Sequence, residues 1–505
     1  MMFPRSSGVL LPIFSLPARF GMGDMGPAAL EFLELLHAGG QSIWQVLPPG
    51  PVAQGNSPYS TYSAFAGNPL LISPEFLLRD GLISVELLQE QDLDRTAQRE
   101  NRVCYDSRRT NMEQVLKFAL ETFRSQGDSE LARQFQQFRE ENSHWLTDFA
   151  LFETLSLQYQ TSDWTLWPDK LASRDQEEIL AVTRDWSDDI ESSEFRQFLF
   201  HKQWQDVRSR AAELGIKIYG DMPIFVAADS VDVWTHQEEF FLDDRGRPTV
   251  VAGVPPDYFS ETGQKWGNPL YRWDRMAENG YQWWKARFQK ALQDFDILRL
   301  DHFRGFESYW EVPAEAETAI DGVWKAGPGD SLFQAVFDDP AAMPIVAEDL
   351  GLITDEVHGL RDRLAFPGMR VMQFGFDSHD DRFHRPDSYP EHCFAYTGTH
   401  DNDTSMGWLI GRREAGTTHV LDDFIHSSDR PEHWEMVELV LNSNANTAII
   451  PLQDLLGYDS SARINVPGEP TGNWAWQCPA SVFSKDVVQQ LRSLTETARR
   501  LPQQA

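Results

Sequence analysis

Residues 283–305 read WWKARFQKALQDFDILRLDHFRG. An amphipathic helical pattern runs to Phe295, and a short apolar stretch from Ile297 to Leu300 follows at once. That stretch ends on an acid, Asp301. Arg299 stands two residues earlier, and positions i and i+2 of a strand share a face. A guanidinium beside Asp301 favours its ionised form and holds it in place. An ionised aspartate so held is a competent nucleophile. The unit decides the fold because it recurs.

Working outward, short apolar runs appear at 9–16 (VLLPIFSL), 42–48 (SIWQVLP), 216–223 (IKIYGDMP), 344–350 (PIVAEDL), 369–376 (MRVMQFGF), 393–401 (CFAYTGTHD) and 447–455 (TAIIPLQDL). With 297–301 they make eight candidate strands. Near-continuous apolar runs suit strands covered on both faces. Helical patterns between them imply parallel crossovers. Eight such units predict an α/β fold, a (β/α)8 TIM barrel, with residues 1–505 as one catalytic domain. A doubly wound open sheet is the alternative, and no G-x-G-x-x-G follows an early strand to support its dinucleotide form. The spacing is uneven. Residues from about 76 to 188 read as a large, mainly helical insertion, residues 250–271 as a long loop rich in Gly, Pro and aromatics, and residues 485–500 as a closing helix.

The net charge of −33 opposes nucleic acid and anionic membranes as partners. No apolar run reaches the ~20 residues of a membrane helix. The N-terminus, interrupted by Pro4, Pro12 and Pro17, lacks the features of a signal peptide. The three cysteines, Cys104, Cys393 and Cys478, lie far apart with no Cys/His cluster. No disulfide frame and no metal site are expected, and a reducing, cytoplasmic setting is. Seventeen tryptophans suit either the apolar faces of sugar rings or a large core, and composition does not choose between them.

Four acids fall at or just past the C-terminal ends of predicted strands: Asp221, Asp301, Glu348 and Asp401. In an α/β barrel these ends converge on the face that carries the active site. Crowded carboxylates repel, and their pKa values separate. Glycosidic bond cleavage needs that separation, with one ionised carboxylate and one protonated acid. A lone Asp at a strand end is usually a cap or turn residue; four on one face are not explained that way.

The segments SPYSTYSAFAGNPL (57–70), GDMPIFVA (220–227), AGVPPDYFSETGQKWGNPLYRW (252–273), RLDHFRG (299–305), AEDLG (347–351), GTHDNDT (398–404) and NVPG (465–468) resemble the amylomaltases, or disproportionating enzymes, of the α-amylase superfamily. The resemblance runs from Pro12 to about Trp476. It implies a 4-α-glucanotransferase that needs no cofactor. Such an enzyme acts on α-1,4-glucans (maltooligosaccharides, amylose, starch-like chains) with glucose as an acceptor. It implies Asp301 as nucleophile, Glu348 as general acid and then base, and Asp401 as the third acid, which gathers substrate hydroxyls. Asp221, Arg299 and His400 match substrate-orienting positions. Ser57 and Tyr59 lie in a loop that helps wall the site in similar proteins; by residue type alone Tyr59 is equally a packing residue. Asn465 is carried over from NVPG, where a turn residue is the alternative. Gln477 stands in NWAWQ where similar proteins tend to carry a basic residue, which puts a contact there in doubt.

The same carboxylates serve transfer and hydrolysis, so the balance rests on water exclusion and acceptor binding. The loop 252–271 is the candidate for both tasks. Tyr258, Phe259 and Trp266 can cover a glucan, and Gln264 can bond its hydroxyls. An α-glucan hydrolase with the same triad is the nearest alternative. A non-catalytic glucan-binding barrel is a more distant one, opposed by the presence of all three acids.

Overall fold

A computed structural model describes residues 3–91, 101–256, 260–380, 382–426, 430–469, 471–479 and 485–502. Twelve strands are found among them: β1 (Ser6–Leu10), β2 (Ile43–Gln45), β3 (Lys217–Pro223), β4 (Val250–Val254), β5 (Gln264–Pro269), β6 (Ile297–Asp301), β7 (Ser308–Pro313), β8 (Val323–Ala326), β9 (Ile345–Ala347), β10 (Gly368–Val371), β11 (Cys393–Tyr396) and β12 (Thr447–Pro451). Eight form one sheet in the order β10-β11-β12-β1-β2-β3-β6-β9, with every pair parallel. This is the eight-unit barrel expected from the sequence. The first strand lies earlier than the run 9–16 suggested. It ends at Leu10, and Pro12 opens a short 3-10 turn at Ile13–Ser15 instead.

The barrel ends, β9 and β10, do not share a ladder. They are fastened by the Ala347 N–H donating to the Pro367 carbonyl (2.9 Å) and the Met369 N–H donating to the Asp349 carboxylate (2.7 Å). Asp349 is fully buried and is also paired with Arg361 and, at 3.6 Å, with Arg370. Gly368 makes room for it, because a Cβ there would lie 2.3 Å from Asp349 Oδ2.

Alternation along the strands assigns the two faces. Tyr219, Ile297, Val346, Phe394, Tyr396 and Ile449 pack inside the barrel. Their neighbours Ile218, Leu298, Ala347, Ala395 and Ile450 pack outward in the larger core under the helices. By the same period, Asp221, Arg299, Asp301 and Glu348 follow inward-facing residues at spacing two. The sequence therefore delivers these four charged groups to the mouth of the barrel.

Between β2 and β3 the described residues include helices at Tyr105–Ser125, Glu130–Glu141 and Ser143–Tyr159, among others. The last helix, Ser187–Glu213, is continuous and carries the chain back to β3. Its residues Phe195, Phe198, Trp204 and Val207 belong to the same apolar core as the barrel's outer face. The reading of 250–271 as a loop is corrected. β4 and β5 pair antiparallel across its tip, and a second sheet forms in the order β5-β4-β7-β8. A register shift between Val251 and Gly253 breaks the alternation by which a strand is recognised.

Candidate active site

Asp301 ends β6, and the chain turns sharply after it. His302 takes a left-handed φ of 51°, a conformation that costs a non-glycine residue about 1–2 kcal/mol. The turn points the His302 N–H at Glu348 Oε2 (2.8 Å), while the Leu350 N–H donates to Glu348 Oε1 (2.9 Å). Leu300 and Ala347 are register partners, so Asp301 and Glu348 come next along adjacent strands.

Arg299, almost fully buried, bridges two carboxylates. One of its nitrogens lies 2.6 Å from Asp221 Oδ2 and another 2.8 Å from Asp301 Oδ1. Burial alone would lower its pKa, but Asp221 and Asp301 outweigh burial and hold it well above the ordinary arginine value. Asp221 is pushed up by burial against the pull of Arg299. It also accepts the Tyr59 hydroxyl at 2.7 Å.

Burial and the nearby charge of Asp301 push the Glu348 carboxyl up to about 7, against the pull of Arg299. Glu348 is therefore largely protonated where an ordinary glutamate is ionised. Asp401 lies past β11 in a turn held by Asn402, whose side chain accepts from the Thr399 N–H and hydroxyl at 2.9 Å each. Burial would raise Asp401. The His400 ring, 3.1 Å away, and the Asn465 amide, donating at 2.6 Å, more than offset this and hold it well below the usual carboxylate range. The site thus contains one carboxyl that retains its proton and an arginine-paired carboxylate beside it, the division that glycosidic cleavage requires.

Tyr59 stacks on His400 with ring centroids 5.1 Å apart, and Trp474 packs against both rings. Ser57 acts one step back, its hydroxyl accepting the Tyr59 N–H at 3.3 Å. On β5, Trp266 is 39% exposed and meets the His302 ring edge-on at 4.8 Å. The Gln264 side-chain amide oxygen accepts the Trp266 indole N–H at 3.2 Å. Tyr258 and Phe259 lie outside the described residues. Gln477 is buried, with its backbone N–H on the Asn101 carbonyl and its side-chain amide donating to the Leu16 carbonyl at 3.4 Å.

His302, Trp474 and Arg463 were missed by sequence reasoning. Arg463 donates to the Asp401 backbone carbonyl at 2.8 Å. His302 follows the nucleophile candidate directly and could have been found by asking which N–H groups the strand end exposes. Burial lowers the His302 ring to about 4, so it is neutral at neutral pH.

A family model described as 4-alpha-glucanotransferase matches residues 11–482. The chain belongs to the 4-α-glucanotransferase family. It is 43% identical to the 4-alpha-glucanotransferase of Thermus thermophilus, over 99% of this chain and 100% of that one. It is 40% identical to the chloroplastic/amyloplastic 4-alpha-glucanotransferase of Solanum tuberosum, over 98% of this chain and 87% of that one. The solved structure of amylomaltase from Streptococcus agalactiae in complex with acarbose superposes with a TM-score of 0.94 at 34% identity, covering 99% of this chain and 100% of that one. Transglycosylation is the activity of 4-α-glucanotransferases, and the chain is a transferase on that ground. Among the described residues no helix is long and apolar enough to cross a membrane.

Proposed function

We propose that this site cuts α-1,4-glucans and passes the glycosyl segment to the 4-hydroxyl of glucose or another glucan through a covalent intermediate. The observation that carries the reading is the pairing of Asp301, held by Arg299, with Glu348, pushed up to about 7. Asp301 attacks the anomeric carbon while Glu348 protonates the departing sugar oxygen. Glu348, now a base, takes the proton from the acceptor hydroxyl, and the ester to Asp301 breaks. Two inversions retain the α configuration. Asp401, anionic and fixed by His400 and Asn465, gathers hydroxyls of the reacting sugar and stabilises its positive charge. Asp221, Arg299, Tyr59 and His400 wall the same sugar, and Ser57 steadies Tyr59. Gln264 and Trp266 cover the glucan. The chemistry needs carboxylates and no metal or organic cofactor. The barrel and its helical insertion work as one catalytic unit in the cytoplasm, away from nucleic acid and membranes.

Purified protein with maltotriose alone tests the reading. A ladder of shorter and longer chains at a constant number of reducing ends is expected. Reducing ends that rise at every cut, with no longer chains, would make it a hydrolase.

Two further outcomes follow from the geometry. The first step needs Glu348 protonated, so kcat/KM should fall on the alkaline side with an apparent pKa of about 7. An alkaline limb two units higher would remove Glu348 from that role. Trp266→Ala should raise hydrolysis relative to transfer by roughly threefold or more, because it uncovers the intermediate to water. An unchanged ratio, read as reducing ends formed per chain lengthened, would discard the shielding role.

A further inference from the structure

The second sheet has two edges, and both carry an exposed tryptophan. β5 presents Trp266 to the site. At the opposite edge, every residue of β8 is exposed, including Val323 (49%) and Trp324 (40%). Ile320 and Leu352, at 52% and 56%, add to the patch. A bare edge strand with exposed apolar side chains is an aggregation liability that proteins usually remove.

Here it is held rigidly instead. Trp324 meets Trp310 at 5.1 Å and 66°, and the Trp310 indole N–H is fixed on the Ala319 carbonyl at 2.9 Å. Gly322 lies so close to that indole that a Cβ would come within 2.2 Å of Nε1. Beyond β8, the Gly327 and Gly329 N–H groups bond the Glu307 and Phe306 carbonyls at 2.7 and 2.8 Å. Arg304 lies over one face of Trp324 at 3.8 Å and donates to the Leu352 carbonyl. Arg304 is 9% exposed, yet its buried Nε has no partner among the described residues.

This shelf belongs to the loops that carry the chemistry. Arg304 is three residues beyond Asp301 and Leu352 four beyond Glu348. At 3.8 Å per residue their Cα atoms lie within about 11 and 15 Å of those carboxylate residues. The general acid faces the departing side of the cleaved bond, and the shelf is bonded to the acid's loop through Leu352.

We infer that Trp324, backed by Trp310 and Arg304, is a remote subsite for an α-1,4-glucan on its leaving-group and acceptor side. The inference rests on the transferase reading above. The occupant is a glucan because the shelf continues the sheet that covers the candidate site. It offers an exposed aromatic face, which suits a sugar ring, backed on its other side by the Arg304 guanidinium. Long chains would gain more from the subsite than maltotriose, so chain length is its signature.

Trp324→Ala should raise KM for amylose and long maltooligosaccharides by roughly fivefold, the loss of one aromatic contact. KM and kcat for maltotriose should stay within about twofold, because the shortest chain gains least from a contact outside the carboxylates. Trp324→Phe should restore part of the long-chain affinity. Equal losses on short and long substrates would mark a structural role and overturn the subsite. Unchanged kinetics with long glucans would also overturn it. Wild-type protein that fails to disproportionate maltotriose at all would instead strike the transferase reading.

Discussion

Asp301→Asn should lose about four orders of magnitude or more in turnover of maltotriose while keeping its fold. The amide has no anionic oxygen to attack the anomeric carbon, so the covalent route closes. The side chain is otherwise of equal size. Its oxygen can still accept from Arg299, which remains paired with Asp221 at 2.6 Å. The melting temperature should therefore move far less than the rate. Quenched time points with maltotriose, alongside a thermal melt, separate the two effects. Turnover within tenfold of the parent in a folded variant would remove Asp301 as nucleophile.

Glu348→Gln should lose about three orders of magnitude with maltotriose, whose departing oxygen needs a proton. With α-maltosyl fluoride the first step should return, because fluoride leaves without protonation. The second step still lacks its base, so fluoride should appear as a burst close to one equivalent of enzyme, followed by slow turnover. A folded variant with no burst would count against the acid role. Stability gives an independent reading. The folded carboxyl is raised from the ordinary 4.5 to about 7. Below the lower value both folded and unfolded chains are protonated, and ionisation costs nothing. As pH rises toward 7 the unfolded chain releases its proton first, and the folded state loses stability, on the order of 3 kcal/mol at most. Glutamine escapes this loss. The melting temperature of the variant relative to the parent should thus be more favourable at neutral pH than in acid.

Much of the barrel was legible because its strands are buried on both faces and its helices are not. Apolar runs ending in Asp221, Asp301 and Glu348 gave both the strand ends and the acids. Asp401 was legible from its motif, although its anchoring by Asn465 was not. Two residues over 60 positions apart leave no local pattern, and Asn465 by itself reads as a turn. The second sheet escaped for a local reason. β4 carries a register shift at Gly253, β5 carries Gln264, Lys265 and Asn268 where an apolar strand is sought, and β8 is exposed throughout. Tyr59 was ambiguous by type, and only the fold brings its hydroxyl to Asp221.

The fastening of β9 to β10 has a consequence for how the two catalytic candidates are held. Taken as a strip, the barrel sheet begins at β10 and finishes at β9. Asp301 sits one strand in from the finish, clamped by ladders on both sides. Glu348 sits on the free hem, with a ladder on one side only and the Asp349 stitch beside it. The two carboxyls thus differ in the ladders that flank their strands as well as in charge. Asp301, the proposed nucleophile, is woven into the cloth. Glu348, the proposed proton donor, is sewn at the edge, where the buried Asp349 and the room left by Gly368 close the seam.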